Sequence, residues 1–162
     1  MASVVDPEIA ERIRGLQLKF TKEPQPELLI PIPNEDVEIG RSVTHHAPEF
    51  TSLCPLNPSQ PDFANITITF APQGIIVELK SLKFYLTSYR MVSIFHESVP
   101  ALILKDLCGI MGPIDIDVVG QFNTRGGIRT DVHAWYRVGG ATNVAELAEL
   151  EEPELPEPTF ED

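Results

Sequence analysis

Apolar and polar residues alternate along residues 63–70, and a period of two residues predicts a half-buried β-strand. Ile66 and Ile68 fall on one side of that strand, and threonines fall on the other. The Pro-Gln-Gly sequence at 72–74 predicts a turn, and the apolar run at 75–77 predicts a second strand. Together the two strands predict a β-hairpin with a short loop.

The hydrophobic period becomes that of an α-helix after this predicted hairpin. Apolar residues recur three or four positions apart over about 81–89 and again over 98–111, and Gly112-Pro113 predicts the end of the second helix. Residues 114–122 and 130–138 alternate once more and predict a second hairpin. The resulting order, β-β-α-α-β-β, indicates an antiparallel fold of the α+β class.

Composition divides the chain into three parts. Residues 1–40 are expected to form an N-terminal extension, and residues 41–138 a core domain. Residues 139–162 are rich in Pro and Glu, and we expect this tail to be solvated and disordered.

Two features of the extension predict local structure. Asp6-Pro7-Glu8 has the residue types that begin a helix, so a short helix is predicted near 7–15. The stretch LLIPIP at 28–33 predicts an extended segment that docks on a surface or forms an edge strand, where proline is tolerated.

Charge and length exclude several classes of partner. The net charge is −12, and positions 138–162 hold eight of the acids and no Lys or Arg, which leaves the preceding residues at −4. A chain without a basic face is not expected to bind nucleic acid directly. No apolar run approaches the roughly 18 residues of a membrane span. The N-terminal residues resemble neither a secretory signal nor a transit peptide, so we expect a cytoplasmic protein with no membrane partner.

The two cysteines predict different roles. Cys108 lies beside the apolar face of the second predicted helix and is expected to be a small core residue. Cys54 lies in a loop of Pro, Asn and Ser just before a strand, where a thiolate nucleophile could be accessible. Asp62 begins that strand and could donate a proton to a nitrile nitrogen while sulfur attacks its carbon. From spacing alone, a surface loop with an incidental Cys and Asp is the more common case.

Two further stretches carry candidate chemistry. Lys80 and Lys83 project from one side of a first helical turn, where cations and free N–H groups can bind phosphate, although a solvated Lys pair is the more common explanation. Glu97 could accept two hydrogen bonds from the edge of a purine-like base, or could cap the second helix.

Taken together, five short motifs in chain order resemble the NADPH-dependent 7-cyano-7-deazaguanine reductases, the nitrile reductases of the queuosine pathway, in their short single-module form. The resemblance covers roughly residues 41–138, and five weak motifs in the right order are together specific. The motifs are Leu53-Cys54-Pro55, Gln60-Pro61-Asp62-Phe63, Glu78-x-Lys80-Ser81-Leu82-Lys83-x-Tyr85, Phe95-His96-Glu97 and Phe122-Asn123-x-Arg125-Gly126-Gly127.

This resemblance implies a fold, an assembly and a reaction. The family has the tunnelling fold (T-fold), an antiparallel β-β-α-α-β-β unit that assembles into a ring-shaped barrel. Active sites then lie between subunits, so a homo-oligomer is expected, and two stacked rings are typical of the short form. The implied substrate is 7-cyano-7-deazaguanine, which is reduced to the 7-aminomethyl base with NADPH as co-substrate and without a metal.

The resemblance also implies roles for individual residues. The loop between Cys54 and Asp62 looks one residue longer than the commonest family version, so the added residue must bulge outward for the two side chains to converge. The implied catalytic residues are Cys54, which forms a covalent thioimide, and Asp62, the proton donor. The implied substrate-binding residues are Val77, Glu78, Leu79, His96 and Glu97, and the implied cofactor-binding residues are Lys80, Ser81, Lys83 and Arg125.

Three alternatives remain at the level of sequence. A related amidinotransferase of archaeosine formation keeps a Cys and Asp pair, but it acts on tRNA and lacks the NADPH motif. A zinc cyclohydrolase of the same fold would need Cys and His ligands, for which His45, His46 and the two cysteines are candidates. A ring-forming scaffold that kept the fold but lost the activity is the third.

Overall fold

The computed structural model of the chain describes residues 6–35 and 38–138, so the predicted acidic tail, 139–162, lies outside the described residues. Helices and strands follow one another in a mixed α/β order with antiparallel sheets. They are α1 (Pro7–Gly15), β1 (Pro31–Pro33), β2 (Val43–Leu53), β3 (Pro61–Phe70), β4 (Ile75–Val77), α2 (Leu79–Ser88), α3 (Ser98–Met111), β5 (Asp115–Phe122) and β6 (Asp131–Arg137).

The main sheet has four antiparallel strands in the order β2-β3-β5-β6. Buried positions alternate along β3 and β5 because one face of these strands meets the helices. The core between sheet and helices joins Ile66 and Ile68 to Tyr85, Ile103 and Leu107, all at most 1% exposed. The two outer strands of this sheet, β2 and β6, lie at opposite edges.

The predicted first hairpin is wrong. The strand at 61–70 pairs with β2 and β5, whereas the strand at 75–77 pairs with β1 in a separate two-stranded sheet. The first hairpin of the β-β-α-α-β-β unit is instead β2–β3. Strand β2 was missed because its register shifts between Ala47 and Phe50, next to Pro48, and this irregularity interrupts the alternation that would have marked it.

The stretch at 28–33 was predicted to dock on a surface or to form an edge strand; its last three residues, Pro31–Pro33, form a strand, and the stretch fixes the start of α2. Ile32 pairs with Ile76, and the backbone N–H of Glu78 donates to the carbonyl of Ile30 at 2.9 Å. The buried Ser81 hydroxyl accepts from the N–H of Ile30 at 3.0 Å and donates to the carbonyl of Glu78 at 2.6 Å. The N-terminal part of the chain thereby holds the first turn of α2 in place.

The remaining predicted elements are confirmed. Strands β5 and β6 form the second hairpin, and α3 ends at Gly112, whose φ of 56° lies in the left-handed region that favours glycine. Helix α1 begins at an Asp6 side chain that accepts from the N–H of Glu8 at 2.8 Å. Within residues 6–35 and 38–138, no helix is long and apolar enough to cross a membrane.

Candidate active site

Asp62 is the buried carboxylate of the candidate site. It is the second residue of β3, it lies opposite Ser52 of β2, and it is 2% exposed. One carboxylate oxygen contacts the Arg125 guanidinium, and the other lies 3.2 Å from His96 Nε2. A carboxylate buried to this extent needs such partners, because burial of an unpaired charge is strongly unfavourable.

Cys54 follows the last residue of β2, at the mouth of the β2–β3 loop. The loop is closed by hydrogen bonds from the Cys54 N–H to the Gln60 carbonyl at 3.1 Å and from the Gln60 N–H to the Asn57 carbonyl at 2.8 Å. Leu56 at its tip is 85% exposed. The tip of the loop therefore points into solvent, which is the outward bulge that the added residue was expected to form. The hydrogen bonds at its base keep the two ends of the loop together.

The surroundings of Cys54 favour the thiolate. The pKa of the thiol lies below its ordinary value, first because the backbone N–H of Asn57, and next that of Leu56, hydrogen-bond to the sulfur. Partial burial opposes this effect, and a hydrogen bond and the positive charge of Arg125 add to it. The sequence prediction named the cysteine but missed these backbone donors, because only the folded loop aims them at the sulfur.

Arg125 reaches this cluster from the β5–β6 loop. Its guanidinium contacts Asp62, and its positive charge helps to lower the pKa of the Cys54 thiol, so one side chain acts on both the predicted nucleophile and the predicted acid. The sequence prediction had assigned Arg125 to a cofactor phosphate. That role stays a prediction, whereas the contacts within this chain are to the reacting residues.

His96 and Glu97 are carried to the same place by the segment before α3. This segment runs beside the end of β2, with hydrogen bonds from the Leu53 N–H to the Val92 carbonyl at 2.8 Å and from the Ile94 N–H to the Leu53 carbonyl at 3.1 Å. Glu97 is exposed and makes no side-chain capping hydrogen bond to α3. Its carboxylate therefore stays available to a ligand.

The imidazole of His96 is held flat against the Phe122 ring, with ring centroids 4.0 Å apart and an interplanar angle of 8°. Burial lowers the pKa of His96, and the charge of Glu97 offsets part of this effect. At neutral pH we therefore take His96 as the uncharged imidazole in contact with Asp62. Phe122 belongs to the site as the platform that orients His96, a contact that sequence spacing does not reveal.

The predicted cofactor and substrate residues around α2 form a second cluster. The Glu78 carboxylate accepts from the N–H groups of Lys80 at 2.9 Å and Ser81 at 2.7 Å, so it caps the helix. Ser81 is 0% exposed and its hydroxyl is hydrogen-bonded to two backbone groups, which gives it a structural role in this chain.

Lys80 and Lys83 are exposed and line a groove of about 810 Å³ between β2 and α2. The Nζ atom of Lys80 donates to the Ile13 carbonyl at 2.8 Å. Leu79 also lines this groove, whereas Val77 is buried in β4.

The two clusters lie near opposite ends of α2. Cys54 follows Leu53, which bridges to Ser93 just beyond the C-terminal end of the helix, whereas Glu78 precedes the first turn. A helix of ten residues spans about 15 Å. Within 6–35 and 38–138, no hydrogen bond or ion pair joins Glu78, Lys80 or Lys83 to the cluster around Asp62.

The described part of the chain offers no ligand set for a metal. No group of three or more His, Cys, Asp or Glu side chains comes together within it. His45 and His46 are neighbours on β2 and so point to opposite faces of the sheet, with His45 beside the Phe70 ring and His46 Nδ1 3.2 Å from the Thr67 hydroxyl. Half-burial raises the pKa of the Cys108 thiol to about 11, and that thiol packs against the core.

Comparison of the folded chain with solved structures bears on the fold. The crystal structure of the archaeosine synthase QueF-Like in its apo form superposes with a TM-score of 0.53 at 20% sequence identity, covering 64% of this chain and 96% of that one. A likeness at this level of identity supports the shared arrangement of strands and helices and carries no statement about activity.

Sequence comparisons identify the family. The family model described as "QueF-like protein" matches residues 61–139. A protein of Exiguobacterium sibiricum named NADPH-dependent 7-cyano-7-deazaguanine reductase is 46% identical over 127 residues, which cover 78% of this chain and 77% of that relative. Relatives of the same name in Bacteroides thetaiotaomicron and Neisseria gonorrhoeae are 42% and 40% identical, covering 83% and 80% of this chain and 88% and 86% of theirs. This chain therefore belongs to the family of the NADPH-dependent 7-cyano-7-deazaguanine reductases.

Proposed function

We propose that this chain uses NADPH to reduce the nitrile of 7-cyano-7-deazaguanine to the primary amine of 7-aminomethyl-7-deazaguanine, a step of queuosine biosynthesis, in the cytoplasm. The relatives that match most of the chain carry the name of this reaction. The observation that carries the proposal is that one guanidinium contacts the Asp62 carboxylate and also lowers the pKa of the Cys54 thiol, because nitrile reduction through sulfur needs a thiolate and a proton donor near each other.

The covalent step follows from this arrangement. Cys54 sulfur attacks the nitrile carbon, one C≡N π bond breaks, and Asp62 protonates the nitrogen, which gives a thioimide. NADPH supplies the hydrides, one for the thioimide carbon and one for the imine that forms after the C–S bond breaks and the thiolate leaves. Each hydride is matched by one proton, so reduction to the amine consumes two NADPH and two protons. Asp62, buried and linked to His96, is the group of this chain that would hold a proton beside the reacting nitrogen.

In this proposal, His96 and Glu97 bind the deazaguanine base. Two carboxylate oxygens of Glu97 can accept from the amino group and the ring N–H of a deazaguanine. His96 is held against Phe122 beside Asp62, so a base contacted by both would place its nitrile near Cys54. Selection against bases without this donor edge would follow, because a carboxylate left unpaired in the site costs affinity.

We further propose that two subunits complete each site. Val77, Glu78 and Leu79 are implied to line the same pocket as Cys54, yet within one chain Glu78 precedes the first turn of α2 and Cys54 lies beside the segment that follows its last turn, and a helix of ten residues spans about 15 Å. One bicyclic base cannot contact both clusters of a single subunit. A ring in which the α2 end of one subunit faces the Cys54 end of the next would bring them together, and two such rings would stack.

The groove between β2 and α2 is the proposed path of the cofactor. Lys80 and Lys83 supply its positive charge, and Lys side chains pair with phosphate oxygens. The Lys80 ammonium is held by the carbonyl of Ile13, so the C-terminal end of α1 sets its position.

The first experiment is intact-mass measurement after incubation with 7-cyano-7-deazaguanine in the absence of NADPH. We expect the protein to gain the mass of the base, because a thioimide forms without loss of atoms. Cys54→Ala should remove the adduct, and Cys108→Ala, which deletes the other thiol of the chain, should retain it.

NADPH oxidation with the free base then separates the alternatives. Oxidation of about two NADPH per base would support the reductase, because an amidinotransferase and a scaffold would consume none. An adduct on the Cys54→Ala variant, or no adduct and no NADPH oxidation with the parent protein, would overturn the proposal.

A further inference from the structure

Arg125 acts on both of the residues that react. Its guanidinium contacts the Asp62 carboxylate, and its positive charge helps to lower the pKa of the Cys54 thiol. The Arg125 side chain is 29% exposed, whereas that of Asp62 is 2% exposed. The ion pair is therefore turned inward, and the guanidinium nitrogen that contacts Asp62 is not free to pair with a phosphate that arrives from solvent.

The backbone around Arg125 is built to hold it there. Arg125 and Ile128 exchange two backbone hydrogen bonds, of 2.8 and 3.0 Å, across Gly126 and Gly127. Both glycines have positive φ, 56° and 80°, which is typical of a type I′ turn and is unfavourable for residues with a Cβ. Just before this turn, the Asn123 N–H donates to the Phe63 carbonyl at 2.9 Å, next to Asp62 itself.

We propose that Arg125 is a positioning residue of the reductase site, which holds the Cys54 thiol and the Asp62 carboxylate in register before the substrate binds. This inference rests on the proposed function and assigns Arg125 to the reacting pair in place of a cofactor phosphate. The two glycines are then required because they turn the chain directly after Arg125 and so aim its side chain at β3.

The proposal completes the path of the proton. The thiol proton of Cys54 passes to the Asp62 carboxylate, the sulfur attacks the nitrile carbon, and Asp62 returns the same proton to the nitrogen, so atoms and charge balance. Because the guanidinium favours the carboxylate form of Asp62, it favours release of that proton to the nitrogen. The same positive charge favours the thiolate of Cys54.

The test measures the pH dependence of Cys54 alkylation by iodoacetamide in the full chain, without substrate or cofactor. A Cys108→Ala background leaves Cys54 as the reporting thiol, and Arg125→Gln is compared with Arg125→Lys. Arg129→Gln is the matched control, because Arg129 lies in the same loop, pairs with Asp131 and is exposed. For Arg125→Gln we expect alkylation slower by at least about fivefold at pH 7, with the profile displaced to higher pH. Arg125→Lys should recover part of this loss, and Arg129→Gln should match the parent.

A second measurement separates positioning from cofactor binding. Adduct formation with 7-cyano-7-deazaguanine in the absence of NADPH should slow in Arg125→Gln. Unchanged alkylation and adduct formation in both Arg125 variants, with only KM for NADPH raised, would overturn the proposal and return Arg125 to the phosphates. Because alkylation needs no nitrile, a displaced profile without any adduct in the parent would uphold the Arg125 contact and reject the reductase function. If Arg125→Gln does not fold, as shown by thermal melting, Arg125→Lys alone decides, since it keeps the charge but loses the planar fork.

Discussion

The chemistry of this protein depends on residues that the chain brings together from distant positions. Asp62 on β3 meets His96 from the segment before α3 and Arg125 from the β5–β6 loop. Each partner stabilises the buried carboxylate in a different way, since one adds a full charge and the other a neutral ring held by Phe122. The acid is therefore positioned by three separate elements.

Replacement of Asp62 by Asn keeps the shape of the side chain and removes its proton chemistry. We expect kcat to fall by about 10²–10⁴, the usual contribution of a positioned general acid. NADPH oxidation with saturating substrate measures this loss. Asp115→Asn is the control, because Asp115 pairs with Arg137 on the exposed side of β5 and should leave kcat unchanged. A kcat within twofold of the parent for Asp62→Asn would contradict the role of proton donor.

The half-buried thiol of Cys108 links stability to pH. Its pKa is raised from an ordinary 9.0 to about 11, so above about pH 9 the thiol ionises in the unfolded chain before it does so in the folded one. This contribution to the free energy of unfolding is therefore complete below pH 9 and is lost as pH rises toward 11. We expect Cys108→Ala to lose less stability than the parent between pH 8.5 and 10.5 in urea unfolding, while Cys54→Ala keeps the loss. Equal losses in all three proteins would contradict this assignment.

At the scale of elements, α3 and β5 approach closely because Gly120 has no side chain. A Cβ at this position would lie 3.0 Å from Pro100 Cγ and 3.0 Å from Phe122 Cε2. Phe122 also carries His96, so the helix–strand packing and the site share one aromatic ring. Strain introduced at Gly120 should therefore be transmitted to the catalytic cluster.

Gly120→Ala tests this packing. We expect a loss of about 1–3 kcal/mol in the free energy of unfolding, as for other overpacked cores, together with reduced NADPH oxidation. Gly109→Ala is the matched control, because a Cβ at Gly109 meets nothing within 4 Å and alanine favours the α3 helix. Urea unfolding of both variants gives the comparison, and equal stabilities would show that the α3–β5 contact is not tight.

At the scale of the whole molecule, the main sheet has two strand edges that a ring would close. In β6, the hydrogen bonds from the Val138 N–H to the Ile114 carbonyl and from the Phe122 N–H to the Thr130 carbonyl place the even-numbered residues against β5. The N–H groups of Asp131, His133 and Trp135 therefore point away from β5. An open edge of this kind pairs with another strand, and the proposed ring supplies one from the next subunit.

His133→Pro removes one outward N–H and leaves the pairing with β5 intact. We expect this variant to dissociate into smaller species and to lose activity, because each proposed site spans two subunits. His133→Ala is the control, since it removes the contact of the ring with Asp117 but keeps the N–H. Light scattering after size-exclusion chromatography measures the mass of each. A proline variant with the mass of the parent would contradict pairing through β6.

Local sequence patterns were sufficient to predict many of the helices and strands of this protein and two of its candidate site residues. The period of apolar residues located α2, α3, β3 and the second hairpin, because each of these elements buries one continuous face. Residue types with a fixed local meaning located the start of α1 at Asp6 and the end of α3 at Gly112. Cys54 and Asp62 could be named as candidates from their places in the loop before β3 and at the start of β3, and from five short motifs in order.

Strand pairing and the partners of each charge were decided by the tertiary structure. Residues 75–77 pair with β1 and not with β3, because β2 and β5 occupy both sides of β3 and 31–33 supplies another strand. The sequence alone also determined that Arg125 is a cation followed by two glycines, but the turn those glycines form aims it at Asp62 and Cys54. Such contacts join residues up to 71 positions apart, as for Cys54 and Arg125. Local patterns cannot encode them, because they arise only when separate elements pack around one core.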